Sequence, residues 1–264
     1  MHFLLATWEK SLFVLLLSVI RYFLIGGIVF MFFYVWLKNK KIFQKIQQRF
    51  PTNKDFKREI FYSFTTFLIF SMVPFVLDHP ILKPFTKVYT GITTHGMVYF
   101  FLVFPLMLIV HDTYFYFTHR MMHHPRLFKF FHVIHHKSVN PSPWAAYAFN
   151  PTEALIEIGI IYVFVFSFPI HLIHVFSFMI FMTLYNIYGH LGYEIYPKGF
   201  NKHWLGRWIN TSVNHNMHHQ FFKANYGLYF TFWDKVFNTL HKDYDEHYER
   251  ITEANLQLRN EVKA

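Results

Sequence analysis

The histidines of this chain are not scattered. Nine of the 19 fall within residues 119–136 and 215–219. His119 and His123 are spaced i, i+4. His132, His135 and His136 are spaced i, i+3, i+4, and His215, His218 and His219 repeat that spacing. On a helix such offsets put side chains on one face, so each group can aim two or three imidazoles at a common point. Crowded imidazoles repel one another when protonated, and when neutral each still has a ring nitrogen to satisfy. A metal ion answers both demands, because the ligating form is the neutral imidazole. Eight or more such ligands exceed what one ion takes, so two ions are implied. Imidazole suits Zn, Cu, Fe and Ni alike, and spacing does not choose among them. Asp112, Glu153, Glu194 and Asn214 are the acceptors expected for the second ring nitrogens, with Asn186 as a further neighbour.

The remaining histidines read differently. A lone histidine on an apolar face is more often a satisfied core or interface residue, and His2, His79, His95, His171, His174, His203, His241 and His247 are read that way. His124 sits beside the pattern rather than in it. Cysteine is absent, which excludes thiolate nucleophiles, iron–sulfur clusters and disulfide-stapled folds.

The elements that must carry these histidines are membrane helices. The 264 residues are 53% hydrophobic and 22% aromatic, with 36 Phe. Only 15% are charged, against about 25% in an ordinary soluble domain. Residues 11–37 form an apolar run with one charge, Arg21, longer than the roughly 20 residues that cross a hydrocarbon core. With no basic cluster before it and no small-residue cleavage site after it, the run reads as a retained transmembrane helix rather than a signal peptide. Arg21 is expected to face other helices or to snorkel. Further apolar runs cover residues 60–77, 97–118 (with Pro105 as a kink) and 154–189. Pro169 divides the last of these into a hairpin.

The net charge of +10 does not indicate nucleic acid, because it is concentrated. Lys38, Lys40, Lys41, Lys45, Arg49, Lys54, Lys57 and Arg58 stand against Asp55 and Glu59, which places +6 of it in residues 38–59. By the positive-inside rule that loop is cytoplasmic. The expected fold is therefore all-α: a single integral membrane domain, residues 1–264, with about four transmembrane helices in two hairpins. A cytoplasmic helical cap, residues 119–153 and 190–264, holds the histidines, and the stretch after Trp233 is a solvated helical tail.

Three segments carry a resemblance to a known family. The run from His111 through Asp112, Thr113 and Tyr114 to His119, Arg120 and His123 is similar to the first histidine box of the fatty acid hydroxylase/sterol desaturase superfamily. His132-Val-Ile-His-His136 resembles its second box. His215-Asn-Met-His-His219, trailed by Asn225-Tyr226-Gly227 and Trp233-Asp234, resembles its last. Between them, His190-Leu-Gly-Tyr-Glu194 is similar to a segment whose histidine is also a ligand. Two departures stand out: many members have His where this chain has Asn214, and some have His at the place of Asn186.

The resemblance implies two irons held by His119, His123, His132, His135, His136, His190, His215, His218 and His219, with no catalytic residue beyond these ligands. It also implies O2 as co-substrate and a membrane lipid as substrate. The electron donor would be separate, of cytochrome b5, ferredoxin-like or pterin type, since helices and boxes fill the chain. Hydroxylation of a lipid or acyl chain ranks first, with sterol-type desaturation or ether-lipid oxidation next. A zinc-holding membrane protein without oxygen chemistry and a bis-imidazole haem protein are the readings outside that class. The abundance of Phe, Ile, Lys and Asn, and a short chain without an obvious retrieval signal, lean toward a bacterial inner membrane. An endoplasmic reticulum membrane is the alternative.

Overall fold

The computed structural model describes residues 2–38 and 43–263; Lys40 and Lys41 of the basic stretch lie outside the described residues. Helix α1 (His2–Phe30) continues without interruption into a π-helical turn, Met31–Trp36. Its surface is inverted relative to a helix of a water-soluble protein. Leu12, Phe13, Leu16, Ile20, Leu24 and Ile28 are exposed, while Thr7, Ser11, Ser18 and Tyr22 are buried. Apolar side chains outward and small polar ones inward is the arrangement hydrocarbon solvent selects.

Helix α2 (Asn53–Phe70) leads into a short α3 (Val73–Leu77), and α4 (Met97–Met122) follows a loop. Two short pieces, α5 (Phe128–Phe131) and α6 (Val133–His136), precede α7 (Pro151–Ser167) and α8 (Leu172–Gly189). Helices α9 (Ser212–Phe221), α10 (Phe232–Val236) and α11 (Tyr244–Lys263) complete the chain. The only sheet among the described residues is one parallel pair of two-residue strands, β1 (Val88–Tyr89) and β2 (Ile170–His171).

Four helical stretches are long and apolar enough to cross a bilayer: Ala6–Trp36, Asn53–Leu77, Met97–Met122 and Leu172–Gly189. The all-α fold with four such spans is as the sequence indicates, and three boundaries differ for physical reasons. The second span begins at Asn53 rather than near residue 60, because Thr52 and Asp55 form a capping box there, with the Thr52 N–H donating to Asp55 Oδ2 at 2.9 Å. This draws Lys54, Lys57, Arg58 and Glu59 out of the basic loop and onto a helix. The third span runs through Pro105 to Met122, so it includes His119. Residues 154–189 divide at Phe168–His171 into two helices, α7 and α8, of 17 and 18 residues.

The connector after the second histidine box determines how the site is held. Residues 141–150 are buried throughout, although only Pro143–Tyr147, a short 3-10 helix, have regular structure. A buried loop must still satisfy its carbonyls, and the surrounding helices supply side chains for that purpose. Tyr22 of α1 and Ser63 of α2 both donate to the Trp144 carbonyl, at 2.7 and 3.1 Å. Thr66 donates to the Tyr147 carbonyl at 2.8 Å, and Asn186 of α8 to that of Ala146 at 2.6 Å. Tyr22, Phe67, Trp144 and Tyr147 pack edge-on around this plug. At its start, the fully buried Glu59 carboxylate accepts from Ser138 Oγ at 2.8 Å and also from Ser142 Oγ.

Glu59→Ala leaves both hydroxyls without their acceptor and is expected to cost about 2–4 kcal/mol. The measurement is a fall of several degrees in Tm of the detergent-purified protein, with the exposed Lys54→Ala as an unchanged control.

Candidate metal centre

The nine histidines converge from four places. Helix α4 ends on His119 and His123, and His132 stands at the junction of α5 and α6, with His135 and His136 on α6. His190 is the residue that ends α8, and α9 carries His215, His218 and His219. Their ligand atoms form two groups. His119, His123, His132, His136 and His218 make one, and His135, His190, His215 and His219 the other. Within each group the atoms lie inside 4.8 Å of one another.

The H-x-x-H-H pattern therefore does not aim all its imidazoles at one point. Positions i and i+4 are only about 40° apart around a helix, whereas i+3 and i+4 are about 100° apart. On α9, His215 and His219 accordingly join one group and His218 the other. The second box repeats this: His132 and His136 join one group, His135 the other. Each motif thus spans both groups and ties them together.

The ring nitrogens show what the clusters are shaped for. His119 Nδ1 faces the Tyr226 carbonyl at 2.9 Å, His190 Nδ1 that of Asn186 at 2.7 Å, and His218 Nδ1 that of Ala224 at 2.6 Å. A carbonyl only accepts, so each Nδ1 carries the proton and each Nε2 keeps a lone pair. His190 Nε2 then lies 3.2 Å from His135 Nε2, 3.1 Å from His215 Nε2 and 3.2 Å from His219 Nε2. In the other group His136 Nε2 is 3.0 Å from both His123 Nε2 and His218 Nε2, and His119 Nε2 is 3.0 Å from His132 Nε2. One proton can bridge only one such pair. A metal with bonds of about 2.0–2.1 Å places neighbouring ligand nitrogens about 2.9–3.4 Å apart at bond angles of about 90–109°. The observed separations fit that geometry.

The electrostatics agree. Burial first, then the neighbouring imidazoles, push His132, His135, His136, His215, His218 and His219 well below the ordinary histidine value. For the same reasons His123 is pushed down to about 2, and burial takes His190 to about 4. The fold keeps these rings neutral, the form that binds a cation.

Of the five neighbours expected to hold ring nitrogens, one brings its side chain close to a ring: Glu153 Oε1 lies 2.7 Å from His132 Nδ1. Asn186 serves through its backbone carbonyl, while its amide clamps the buried connector. Asp112 instead accepts from the backbone N–H groups of Tyr229 and Phe230, at 2.8 and 3.1 Å. Glu194 accepts from the Val213 N–H at 3.1 Å, near the start of α9, and from Tyr188 and Tyr196. The side-chain nitrogen and oxygen of Asn214 are buried without a partner. Both carboxylates thus brace the backbone beside the site rather than the rings.

Sequence reasoning missed the carbonyls of Tyr226 and Ala224, which no side-chain pattern announces. It also missed the brace beneath them, Asp234, which accepts from the Tyr226 and Gly227 N–H groups at 2.9 and 2.8 Å. Burial raises the Asp234 carboxyl to about 6. The Asn225-Tyr226-Gly227 and Trp233-Asp234 segments were the signal for it. His124 is exposed and outside both groups, while His171 and His174 satisfy the carbonyls of Thr90 and Phe100 at 2.8 Å.

The chain matches the fatty acid hydroxylase family over residues 104–239, a stretch that contains all nine histidines. It is similar to a Delta(7)-sterol 5(6)-desaturase of Gibberella zeae, 33% identical over 72% of this chain and 57% of that protein. A Delta(7)-sterol 5(6)-desaturase of Leptosphaeria maculans is 32% identical over 59% of this chain and 41% of that protein. The human lathosterol oxidase is 28% identical over 88% of this chain and 77% of that protein. The chain spans about half the length of the fungal relatives it matches. No solved structure matches it.

Two outcomes follow from the geometry. Glu153→Gln keeps a residue suited to its helix-capping position but weakens the hold on His132, so metal affinity is expected to fall about 10–100-fold by metal titration. The metal-stripped protein is expected to melt lower at about pH 5.5 than at about pH 7.5. Above about pH 6.5 these imidazoles are neutral whether folded or unfolded. Below it the unfolded chain takes up protons that the folded chain refuses, so stability falls as the pH is lowered.

Proposed function

The chain belongs to the fatty acid hydroxylase family, and we propose that it is a membrane-bound, iron-dependent oxidase that removes hydrogen from a sterol-type lipid. The observation that carries the reading is the pair of buried histidine groups, whose Nε2 lone pairs converge at metal-ligand spacing beside the ends of two membrane-length helices, α4 and α8. His119, His123, His132, His136 and His218 would hold one iron, and His135, His190, His215 and His219 the other. The irons would supply activation of O2 and attack on an unactivated C–H bond. The sterol desaturase and oxidase names of the relatives move dehydrogenation ahead of chain hydroxylation, which becomes the second reading.

The chain's own residues set the conditions for that chemistry. The carbonyls of Tyr226, Asn186 and Ala224 fix the tautomers of His119, His190 and His218, so the lone pairs of those three rings face inward. Phe115 lies 4.9 Å from His119, Phe149 lies 5.3 Å from His135, and Phe128 lies 5.3 Å from His123, measured between ring centroids. These rings exclude water from the reacting centre.

The partners and setting belong to the same proposal. A separate electron donor of acidic character suits the hollow rimmed by Arg49, Arg58 and Lys137. Ser138, which also lines it together with Asp55, is two residues from His136, and Gln47 in the same wall donates to Asn216 Oδ1, next to His215, at 2.9 Å. Residues 1–264 act as one membrane domain, with residues 119–153 and 190–264 capping it on the cytoplasmic side. Fungal and human relatives favour an endoplasmic-reticulum-type membrane, and the bacterial inner membrane gains no support.

Elemental analysis of the purified protein is expected to find about two irons per chain, and His135→Ala to lose iron and turnover together. With a sterol offered, mass spectrometry is expected to show loss of two hydrogens; gain of one oxygen would select hydroxylation. Full lipid oxidation by His135→Ala would overturn the assignment, as would zinc-loaded protein that iron cannot activate.

A further inference from the structure

Two short segments outside the histidine boxes set aromatic rings beside a basic residue: Trp204-Leu-Gly-Arg-Trp208 and Phe232-Trp-Asp-Lys-Val-Phe237. The fold brings them together. Ile209 and Phe230 form an isolated bridge, and the Thr231 N–H donates to the Trp208 carbonyl at 2.9 Å. The Thr231 hydroxyl donates to the Arg207 carbonyl at 2.7 Å. The rings run on from one segment to the other. Between centroids, Trp208 lies 6.3 Å from Phe232, Phe232 5.0 Å from Trp233, and Trp233 5.9 Å from Phe237. In spite of this packing Trp204 is 68% exposed, and Leu205, Trp208, Phe232, Val236 and Phe237 are exposed as well. An apolar patch rimmed by charge marks a surface that meets something other than water.

Its position says what it meets. Trp233 Nε1 donates to Thr113 Oγ1 at 3.1 Å, and the Phe237 ring lies 5.7 Å from that of Phe117. Thr113 and Phe117 continue the stripe of α4 formed by Val98, Leu102 and Ile109, all three exposed along a membrane-length helix. Helix α10 thus widens the lipid-facing surface of a span, near the end of α4 that carries His119 and His123. Aromatic side chains at the end of a span are the residues that populate the boundary between hydrocarbon and water.

The cations of the patch lack anions. The Arg207 guanidinium carbon lies 5.1 Å from the centroid of the Trp208 ring, and Lys235 Nζ lies 4.6 Å from the same centroid. Lys235 Nζ also donates to the Arg207 carbonyl, which keeps its charge at this place. Neither cation forms an ion pair among the described residues, whereas Lys198 and Lys202 pair with Glu253 and Glu249. Asp245, whose charge reaches Lys235, bonds Asn201 instead, at 2.7 Å. Burial, and then the charge of Arg207, hold the Lys235 ammonium below the ordinary lysine value. Two cations sharing one indole with no carboxylate beside them form a place for an anion.

We propose that Arg207 and Lys235 bind the phosphate of an anionic membrane phospholipid, while Trp204, Trp208, Phe232 and Phe237 rest against its glycerol and upper acyl region. A zwitterionic phospholipid brings the same phosphate, but with a cation of its own that Arg207 and Lys235 repel. The site is separate from the histidine groups and does not depend on what they oxidise. It touches them through one residue: Asp234, next to Lys235, accepts from the Tyr226 N–H at 2.9 Å, and the Tyr226 carbonyl orients His119. A lipid held on α10 therefore steadies the segment behind a metal-binding ring.

The test uses the full-length protein in phosphatidylcholine nanodiscs doped with a trace of a photoreactive lipid, and peptide mapping reads the cross-links. Two probes, a phosphatidylglycerol and a phosphatidylcholine with the reactive group at the same acyl position, differ only in headgroup. The glycerol probe is expected to label residues 200–208 and 230–237 at least about tenfold more than the choline probe. It is also expected to label the basic residues 43–58, which serve as an internal reference. Arg207→Gln combined with Lys235→Gln is expected to remove the preference at the patch, with labelling of 43–58 and Tm unchanged. Lys198→Gln combined with Lys202→Gln, the same change in charge, is expected to leave the patch as it was. Arg207→Lys combined with Lys235→Arg is expected to keep most of the preference. Equal labelling of the patch by the two probes overturns the proposal, as does a preference that survives Arg207→Gln with Lys235→Gln. Loss of patch labelling to inorganic phosphate at matched ionic strength overturns it too, since the cations then serve a soluble anion. If the glutamine pair leaves lipid labelling intact and slows electron delivery, the face belongs to a protein partner and the proposal falls.

Discussion

Nine imidazoles brought to about 3 Å spacing in a largely buried cluster repel one another through their lone pairs, and much of the surrounding architecture can be understood as holding them there. The rings cannot relieve the crowding by protonation, because burial and their neighbours oppose a positive charge on any of them. Nor are all of them free to rotate. For three of them Nδ1 is tied to a main-chain carbonyl, and for His132 it faces Glu153. A cation placed between the Nε2 atoms turns the repulsion into attraction. Three of the rings are thus already oriented by hydrogen bonds on their far side.

Those hydrogen bonds require that the backbone behind the rings be as fixed as the rings themselves. The carbonyls of Ala224 and Tyr226 belong to a turn where Asn225 adopts φ +62° and Asn225 Nδ2 donates to the Asn214 carbonyl at 3.0 Å. Asp234 grips the next two N–H groups. Behind the second box, the buried connector is clamped by side chains from α1, α2 and α8. Glu59, Asp112, Glu194 and Asp234 thus share one task. Each is a buried carboxylate that accepts from N–H or hydroxyl groups of a segment next to a histidine. Buried charges are costly unless well hydrogen-bonded, so four such groups around one centre mark where backbone precision matters most.

The residues were legible in the sequence to the extent that their role depends on side-chain spacing. The three histidine clusters stood out by offset, and His190 by the motif around it. The membrane helices stood out by apolar length, and Pro169 marked the division between α7 and α8. What was obscured lies in main-chain geometry. Asp112, Glu194 and Asn214 were natural acceptors for ring nitrogens by residue type. Helix C-terminal and turn carbonyls fill that role instead, and a sequence does not distinguish one carbonyl from another. Glu59 was hidden in a run of lysines and read as part of a topology signal. The Thr52–Asp55 capping box that moves it onto α2 was present, but the apolar run that defined the helix begins after it.

The split of each H-x-x-H-H motif between the two groups carries a further consequence. His135 and His136 are adjacent in the chain, as are His218 and His219, yet each adjacent pair serves different groups. Any rotation of α6 or α9 that improves one group's geometry must disturb the other's, since the side chains are about 100° apart on one rigid helix. The two groups are in that sense one mechanical object. Their separation and mutual orientation are set by helical pitch rather than by flexible loops. Ions held in the two groups would therefore keep a constant distance from one another.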